Sequence, residues 1–192
     1  MTKNKIEKNS IGFPKNQGLY DSSKEHDSCG VGFIVDTNNS ASHDIVRKGL
    51  SMLCNLEHRG AVGADPKAGD GSGILLQLPH KFFEKEIDHF ELPKQNEYAV
   101  GVFFLKKNEE IKNEIIKKIE EVCIRENIPF LGWRICPTYE DELGWSVKPT
   151  TPFVYHLFVG KPEDISDQDD FERKIYVLRQ CIDKEIMLLG DD

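Results

Sequence analysis

The chain has 192 residues and a hydrophobic content of 39%, which is enough for a domain with a core of its own. Its formal net charge of -8, without a run of Lys and Arg, argues against a nucleic-acid partner because an acidic surface repels phosphate. No stretch approaches the roughly 18 apolar residues of a membrane span, and we expect no secretory signal. Five cysteines without paired spacing favour the reducing cytoplasm or the interior of a plastid or other organelle.

Residues 1–28 are rich in Lys, Asn and Ser, and they contain few large apolar side chains. Such a composition buries too little surface to offset the entropy lost on ordering. We therefore predict a leader or propeptide over residues 1–28 and one domain over residues 29–192.

Four elements are predicted in the first part of that domain. Residues 29–36 contain a run of apolar side chains, which predicts a buried strand ended by the turn "DTNNS". Ser42 can cap a helix that closes at Gly60. The glycine-rich residues 61–73 predict a loop, and "ILLQL", residues 74–78, predicts another strand.

The second part alternates strands with amphipathic helices. Apolar spacing predicts helices over residues 80–88, from about residue 111 to before Pro129, and over residues 171–186. Continuous apolar runs predict strands over residues 98–105, 129–136 and 152–160. Together these elements indicate a mixed α+β domain.

Cys29 stands at the start of the first predicted strand, followed by Gly30 and Gly32. A thiol becomes a good nucleophile when a base lies within hydrogen-bond reach. Cleavage between Ser28 and Cys29 would supply one, because the new α-amino group has a pKa of about 7.7 to 8.0. The glycines would then leave room for a substrate. The alternative is that Cys29 is a small apolar residue that begins a buried strand.

Two further motifs are candidates for substrate binding. In "EHRGA", Arg59 before Gly60 could bind a carboxylate, because a guanidinium group matches a carboxylate in shape and charge. The alternative is a helix C-terminus whose His58 and Arg59 complement the helix dipole. In "GDGSGI", Gly71 and Gly73 lack the spacing of a nucleotide-binding loop, and we predict a loop that covers a substrate.

Other residues are predicted to be structural. Cys123 and Cys181 fall on apolar helix faces and should lie in the core. His156 is expected to be a hydrogen-bonded strand histidine, and Trp133 and Trp145 are expected to pack in the interior. Cys54 and His58 could share a metal, but two ligands do not make a site. The acidic segment "EDISDQDDFE" is more typical of a solvated loop at a helix N-terminus than of a metal site.

Taken in order, these motifs resemble a known family. "CGVGF", "HRGA", "GDGSGIL", "FLGWRICP", "TPFVYHLFVG" and "FERKIYVLRQCIDKEI" are similar to the N-terminal glutamine amidotransferase domain of the glutamate synthase large chain. That domain is a class II amidotransferase of the N-terminal-nucleophile type. The resemblance covers nearly everything after residue 28.

The resemblance implies a four-layer αββα sandwich, truncated here on its C-terminal side, with Cys29 as the first residue after propeptide removal. In such enzymes the cysteine attacks the side-chain amide of L-glutamine, releases ammonia and leaves a thioester that water hydrolyses to glutamate. It also implies that Arg59 and Gly60 help to shape the glutamine site and that the loop of Gly71 and Gly73 lies close by.

The chain departs from the family pattern at one point. The family takes oxyanion donors from an Asn-Gly pair, and this sequence contains none. We therefore expect the opening fragment of a longer synthase, inactive by itself. The resemblance implies downstream synthase domains with FMN and an iron–sulfur cluster, a small electron-donating subunit as a further partner, and no cofactor in this segment. The alternatives are a non-catalytic interaction or regulatory module that keeps the fold, or another class II amidotransferase such as the phosphoribosyl-pyrophosphate or glucosamine-phosphate enzymes.

Overall fold

A computed structural model describes residues 18–19, 30–38, 40–57, 60, 64–69 and 71–188. The chain divides into two compact units, Met1–Ala61 and Val62–Asp192. Cys29 and Arg59 lie outside the described residues.

The first unit contains helix α1, His43–Asn55. The predicted N-cap is confirmed, since Ser42 Oγ accepts a hydrogen bond from the backbone N–H of Ile45 at 3.5 Å. The predicted end at Gly60 is wrong, because the helix ends at Asn55 with Leu56 as its C-cap. The N–H of Leu56 donates to the carbonyls of both Met52 and Leu53, which tightens the last turn before Gly60 is reached.

The strand predicted over residues 29–36 is also wrong for its described part, residues 30–36, which belong to no strand. Its apolar side chains are exposed, Phe33 to 86%. A strand requires a second backbone to pair with, and within the described residues this segment has no ladder partner. The turn that follows is confirmed, because Asp36 Oδ1 accepts a hydrogen bond from the N–H of Asn38 at 2.7 Å.

The second unit is built on an antiparallel sheet of β1 (Tyr98–Leu105), β2 (Phe130–Ile135) and β3 (Phe153–Gly160). The strand order is β1-β3-β2, so β3 lies in the centre. The register pairs Tyr98 with Gly160 and Leu105 with Phe153. All three strands agree with the predicted ranges to within one residue.

Three helices accompany the sheet. They are α2 (His80–Glu86), α3 (Glu109–Arg125) and α4 (Gln168–Leu188). Asn108 caps α3, because its side-chain oxygen accepts hydrogen bonds from the N–H groups of Glu110 and Ile111. In the described residues no helix is both long enough and apolar enough to cross a membrane. The predicted α+β content is confirmed.

The main core lies between α3, α4 and one face of the sheet. The buried residues there are Leu105, Ile115, Ile119, Val122, Cys123, Ile128, Leu157, Val159, Leu178 and Ile182. The prediction for Cys123 is confirmed, and burial raises the pKa of its thiol to about 11. Cys181 is partly buried against the same core, as predicted.

The opposite face of the sheet is covered at one end only. Helix α2 places Phe83 and Ile87 in a small core with Tyr98 and Phe158. Further along the same face the sheet is open, and Phe104 is 71% exposed. The described residues contain this one three-stranded sheet, and the second sheet of a four-layer sandwich is not among them.

The strand predicted over residues 74–78 is wrong as well, because these residues have no regular secondary structure. Leu75 is fully exposed, and Ile74 and Leu76 are 40% and 42% exposed. An apolar run forms a strand only when a neighbouring strand pairs with it, and no described residue does so here.

Candidate functional site

The glycine-rich loop, described over residues 66–69 and 71–77, follows Asp65, the one buried charged side chain in the described part of the chain, 5% exposed. Asp65 Oδ2 accepts hydrogen bonds from the backbone N–H of Ser146 at 2.8 Å and from Ser146 Oγ at 2.7 Å. Asp65 Oδ1 accepts a third from the N–H of Lys67 at 3.1 Å. The carboxylate therefore connects the loop to a turn that lies 81 residues further along the chain.

The surroundings of Asp65 are suited to an ionised carboxylate. The N–H of Ser146 lowers the pKa of Asp65 most, the Ser146 hydroxyl and the Lys67 N–H lower it further, and burial opposes them. The turn leaves no room for a side chain at Gly144, because a Cβ atom there would lie 2.6 Å from Asp65 Oδ1 and Cγ. Glycine at position 144 thus allows the backbone to approach the carboxylate closely.

The middle of the glycine-rich loop is exposed from Gly71 to Gln77. Gly71 has a φ of 80°, in the left-handed region that favours glycine. Within the described part of the chain, a Cβ atom at Gly73 would meet no other atom within 4 Å. The backbone angle explains the glycine at position 71. Packing against the described residues explains the glycine at neither position 71 nor position 73.

The far end of the loop is fastened by α2 and the small core. Leu78 packs against that core, and Pro79 is the residue that precedes α2. His80 Nδ1 forms a hydrogen bond of 3.1 Å with the hydroxyl of Tyr98. The loop is therefore held at both of its ends and exposed between them.

Gly32 and Gly60 belong to the first unit, whereas Gly71 and Gly73 belong to the second. The N–H of Gly60 donates to the carbonyl of Glu57 at 3.0 Å. A Cβ atom at Gly32 would lie 2.5 Å from Met52 Sδ of α1. Close contact with α1 is thus a structural reason for a glycine at position 32.

Arg134 lines a surface cavity of about 600 Å³, and it pairs with His156 across β2 and β3. Arg134 Nη2 pairs with Glu86 Oε2 at 3.0 Å, and its guanidinium lies over the ring of Phe82. His156 is a strand residue as predicted, but its buried Nδ1 has no hydrogen-bond partner among the described residues, which contradicts the expected hydrogen-bonded histidine. Burial lowers the pKa of His156, and the charge of Arg134 lowers it further.

The two tryptophans differ. Trp133 packs against the main core and its Nε1 donates to Glu120 Oε1 at 2.9 Å, as predicted. Trp145 is largely exposed, so its predicted packing is wrong. Among the described residues no three His, Cys, Asp or Glu side chains converge in a way that could hold a metal ion.

Asp65 was not among the residues singled out from the sequence. One pattern could have indicated it, because an Asp whose side chain accepts from the N–H two residues later is typical of a turn, and Asp65-Pro66-Lys67 fits that pattern. The bond to Ser146 could not have been found in this way, since it joins distant segments.

Residues 29–192 match the model of a protein family, the class-II glutamine amidotransferases. The chain belongs to this family of enzymes, and the match begins at Cys29.

Three relatives with curated names contain the same segment. The NADPH glutamate synthase large chain of Bacillus subtilis is 42% identical over 167 residues, which cover 87% of this chain and 11% of the relative. The NADH glutamate synthase of Schizosaccharomyces pombe is 38% identical over 174 residues, covering 87% and 8%. The ferredoxin-dependent glutamate synthase 2 of Arabidopsis thaliana, a chloroplastic protein, is 34% identical over 170 residues, covering 88% and 10%. The chain thus spans about a tenth of the length of these relatives.

Proposed function

We propose that this chain supplies the glutaminase activity of a glutamate synthase, hydrolysing L-glutamine to glutamate and ammonia. The observation that carries the proposal is the family match, which starts at the candidate nucleophile and continues through residue 192. The 42% identity with a glutamate synthase large chain supports this choice within the family. The ammonia is delivered to 2-oxoglutarate in a downstream domain, where glutamate is formed.

In the proposed reaction Cys29 is the nucleophile and its own α-amino group is the base. Cleavage after Ser28 frees that amine, which accepts the thiol proton as the sulfur attacks the side-chain carbonyl carbon of glutamine. The proton then passes to the departing nitrogen, and ammonia leaves a glutamyl thioester. Water adds to the thioester carbonyl, and glutamate leaves as the thiol is regenerated.

We propose that Arg59 and Gly60 of the first unit, and Gly71 and Gly73 of the second, each take part in binding glutamine. The Arg59 guanidinium pairs with a carboxylate of the substrate, because a planar fork of N–H donors matches a carboxylate. The open surroundings of Gly73 support a loop whose backbone approaches a ligand without obstruction by a side chain.

We propose that the sheet is one half of a four-layer αββα sandwich. Helices α3 and α4 form the outer layer on one face. On the other face Val102 and Phe104 are exposed apolar side chains that a second sheet would cover. Sheets that stack face to face lie about 10 Å apart with their apolar side chains interdigitated.

The remaining parts of the reaction are assigned to other regions of the synthase. The oxyanion donors come from later strands of the amidotransferase domain, and the synthase domains carry FMN and an iron–sulfur cluster. Since relatives named for NADPH, NADH and ferredoxin share this segment, it does not select the electron donor. The proposed compartment is the cytoplasm or a plastid interior.

The test is reaction of the full-length protein with a diazo-ketone analogue of glutamine, followed by peptide mapping. We expect one label per chain on Cys29, at a mature N-terminus that lacks residues 1–28. Cys54 provides the matched control, because its thiol is exposed and would react first if exposure alone determined labelling. Cys54→Ala should therefore keep both the label and the activity.

Cys29→Ala should lose the label and lower the glutaminase rate by at least about a thousandfold, because a missing nucleophile removes the main route of catalysis. Glutamate formation from added ammonia should survive. Full activity with the leader still attached would overturn the amine as base. Labelling spread evenly over Cys29, Cys54 and Cys136 would instead favour a non-catalytic module.

A further inference from the structure

We infer that Asp65 is a positioning residue of the amidotransferase reaction, which fastens the glycine-rich loop so that Gly71 and Gly73 are held against the substrate. The inference rests on the proposed function, because that proposal places the loop at the glutamine site. Asp65 itself does not touch the substrate in this account.

The hydrogen bonds of Asp65 explain why it positions and does not bind. Both of its carboxylate oxygens are occupied by protein donors, two from Ser146 and one from Lys67. The side chain is 5% exposed, so a ligand has almost no access to it. Hydrogen bonds to an ionised acceptor are about twice as strong as those between neutral groups, which suits them to holding a loop in place.

The turn that receives Asp65 is shaped for this contact. Gly144 allows the carboxylate to come closer than any side chain would permit. The N–H of Val147 donates to the carbonyl of Gly144 at 3.2 Å, which closes the turn around Ser146. Lys67 adds a weaker link to the same segment, with its Nζ 3.7 Å from Glu142 Oε2.

The position of Asp65 along the chain determines what it controls. The loop is held at Leu78 by the small core and at its other end by Asp65. Between these two ends the residues from Gly71 to Gln77 are exposed and make no regular secondary structure. Without the Asp65 contact, the loop would lose its hydrogen bonds to Ser146, and Gly71 would sample more positions. A misplacement of about 1 Å in a substrate-positioning group can lower a rate a hundredfold.

The test uses the full-length synthase and three variants. Asp65→Asn keeps the size of the side chain but replaces one carboxylate oxygen with an NH₂ group. That group cannot accept the hydrogen bonds that Ser146 or Lys67 donates. Ser146→Ala removes the hydroxyl and keeps the backbone N–H. Asp141→Asn is the matched control, because it makes the same change of charge in the same segment on a fully exposed side chain.

We expect Asp65→Asn to raise the KM for glutamine on the order of tenfold, with a smaller change in kcat and normal ammonia-dependent synthesis. Ser146→Ala should raise the KM by about threefold, and Asp141→Asn should stay within about twofold of the wild type. Brief trypsin treatment gives a readout independent of activity. Cleavage after Lys67 should be faster in Asp65→Asn and Ser146→Ala but unchanged in Asp141→Asn.

An unchanged KM and an unchanged cleavage rate in Asp65→Asn would overturn the inference. If Asp65→Asn does not fold, the KM for glutamine and the rate of cleavage after Lys67 in Ser146→Ala test the inference instead. Equal losses of glutamine-dependent and ammonia-dependent activity would also overturn it, because they indicate a general structural role. Failure of the proposed function is distinguishable, since wild-type protein would then show no glutaminase activity and no label on Cys29.

Discussion

The two faces of the sheet differ in how completely they are covered. On one face α3 and α4 bury Leu157 and Val159 of β3 in the main core. On the other face α2 reaches only one end, where Phe158 is fully buried, while Phe104 remains 71% exposed. The first face is packed against helices that follow the strands closely in sequence. Among the described residues, no such helix covers the open end of the second face.

This difference indicates which parts of the fold depend on local sequence and which depend on distant segments. Helix α3 directly follows β1 and α4 follows β3. A helix that follows a strand after a short connection packs back onto the same sheet. At its open end the other face has no such neighbour among the described residues, and the exposed apolar side chains there support the proposal of a second sheet supplied from elsewhere in the domain.

The largest loss of stability is expected where α2 covers one end of the sheet. Phe158→Ala removes a fully buried ring that contacts Phe83 edge to face, with ring centres 5.0 Å apart. We expect a loss of about 3 to 5 kcal/mol in the free energy of unfolding, because a cavity adds to the lost burial. Denaturant titration measures it. A loss below about 1 kcal/mol would contradict the tight packing between α2 and the sheet.

Tyr98, at the same covered end, should produce a pH-dependent effect. Burial raises its pKa to about 12, and the charge of Glu84 adds to this. An unfolded tyrosine loses its proton near pH 10, so between about pH 10 and 12 the unfolded state binds fewer protons than the folded state. Stability should therefore fall with rising pH, by about 2 kcal/mol at pH 12.

Tyr98→Phe is the control for this prediction. The variant loses the hydrogen bond to His80 Nδ1, which should cost about 1 kcal/mol at neutral pH. It lacks the phenol that titrates, so its stability should fall less between pH 10 and 12. Parallel curves for the wild type and the variant would contradict a buried, perturbed hydroxyl.

The same contrast explains how far the sequence alone predicted the fold. Strands β1 and β3 were predicted to within one residue and helix α3 to within about three, because their apolar periodicity is local. Residues 30–36 and 74–78 have comparable apolar runs but no partner among the described residues. Periodicity predicts which side chains will be buried together only when the neighbouring element is present.

The candidate site shows a similar limit. Cys29 and Arg59 were indicated by motif resemblance, and both lie outside the described residues. Asp65 was missed because its burial depends on Ser146, which no local pattern connects to it. For the same reason the sequence did not indicate that His156 Nδ1 has no hydrogen-bond partner among the described residues, since this depends on which residues neighbouring segments bring to that side of the sheet.

A smaller effect is expected at His156, between the covered and the open part of the face. Its lowered pKa means that the folded state resists protonation. Below about pH 6.5 the unfolded state therefore binds more protons, and stability should fall as the pH drops through that range. His156→Leu should remove this pH dependence and stabilise the domain by about 1 kcal/mol, because the unpaired Nδ1 is gone. The matched control is His43→Gln on α1, and an unaltered pH profile in His156→Leu would contradict the prediction.

The smallest effect is expected at the open end, and it tests the proposed second sheet. In the chain of 192 residues, Phe104→Ala should change the free energy of unfolding by less than about 0.5 kcal/mol, because the ring is already exposed to water. In the full-length synthase a second sheet would bury that ring, so the same substitution should cost about 3 kcal/mol or more. Phe158→Ala should lower the free energy of unfolding in both the chain of 192 residues and the full-length synthase. This control shows that each measurement detects the loss of a buried ring. A small cost for Phe104→Ala in the full-length protein would mean that nothing packs on this end of the sheet, and the four-layer proposal would then be wrong.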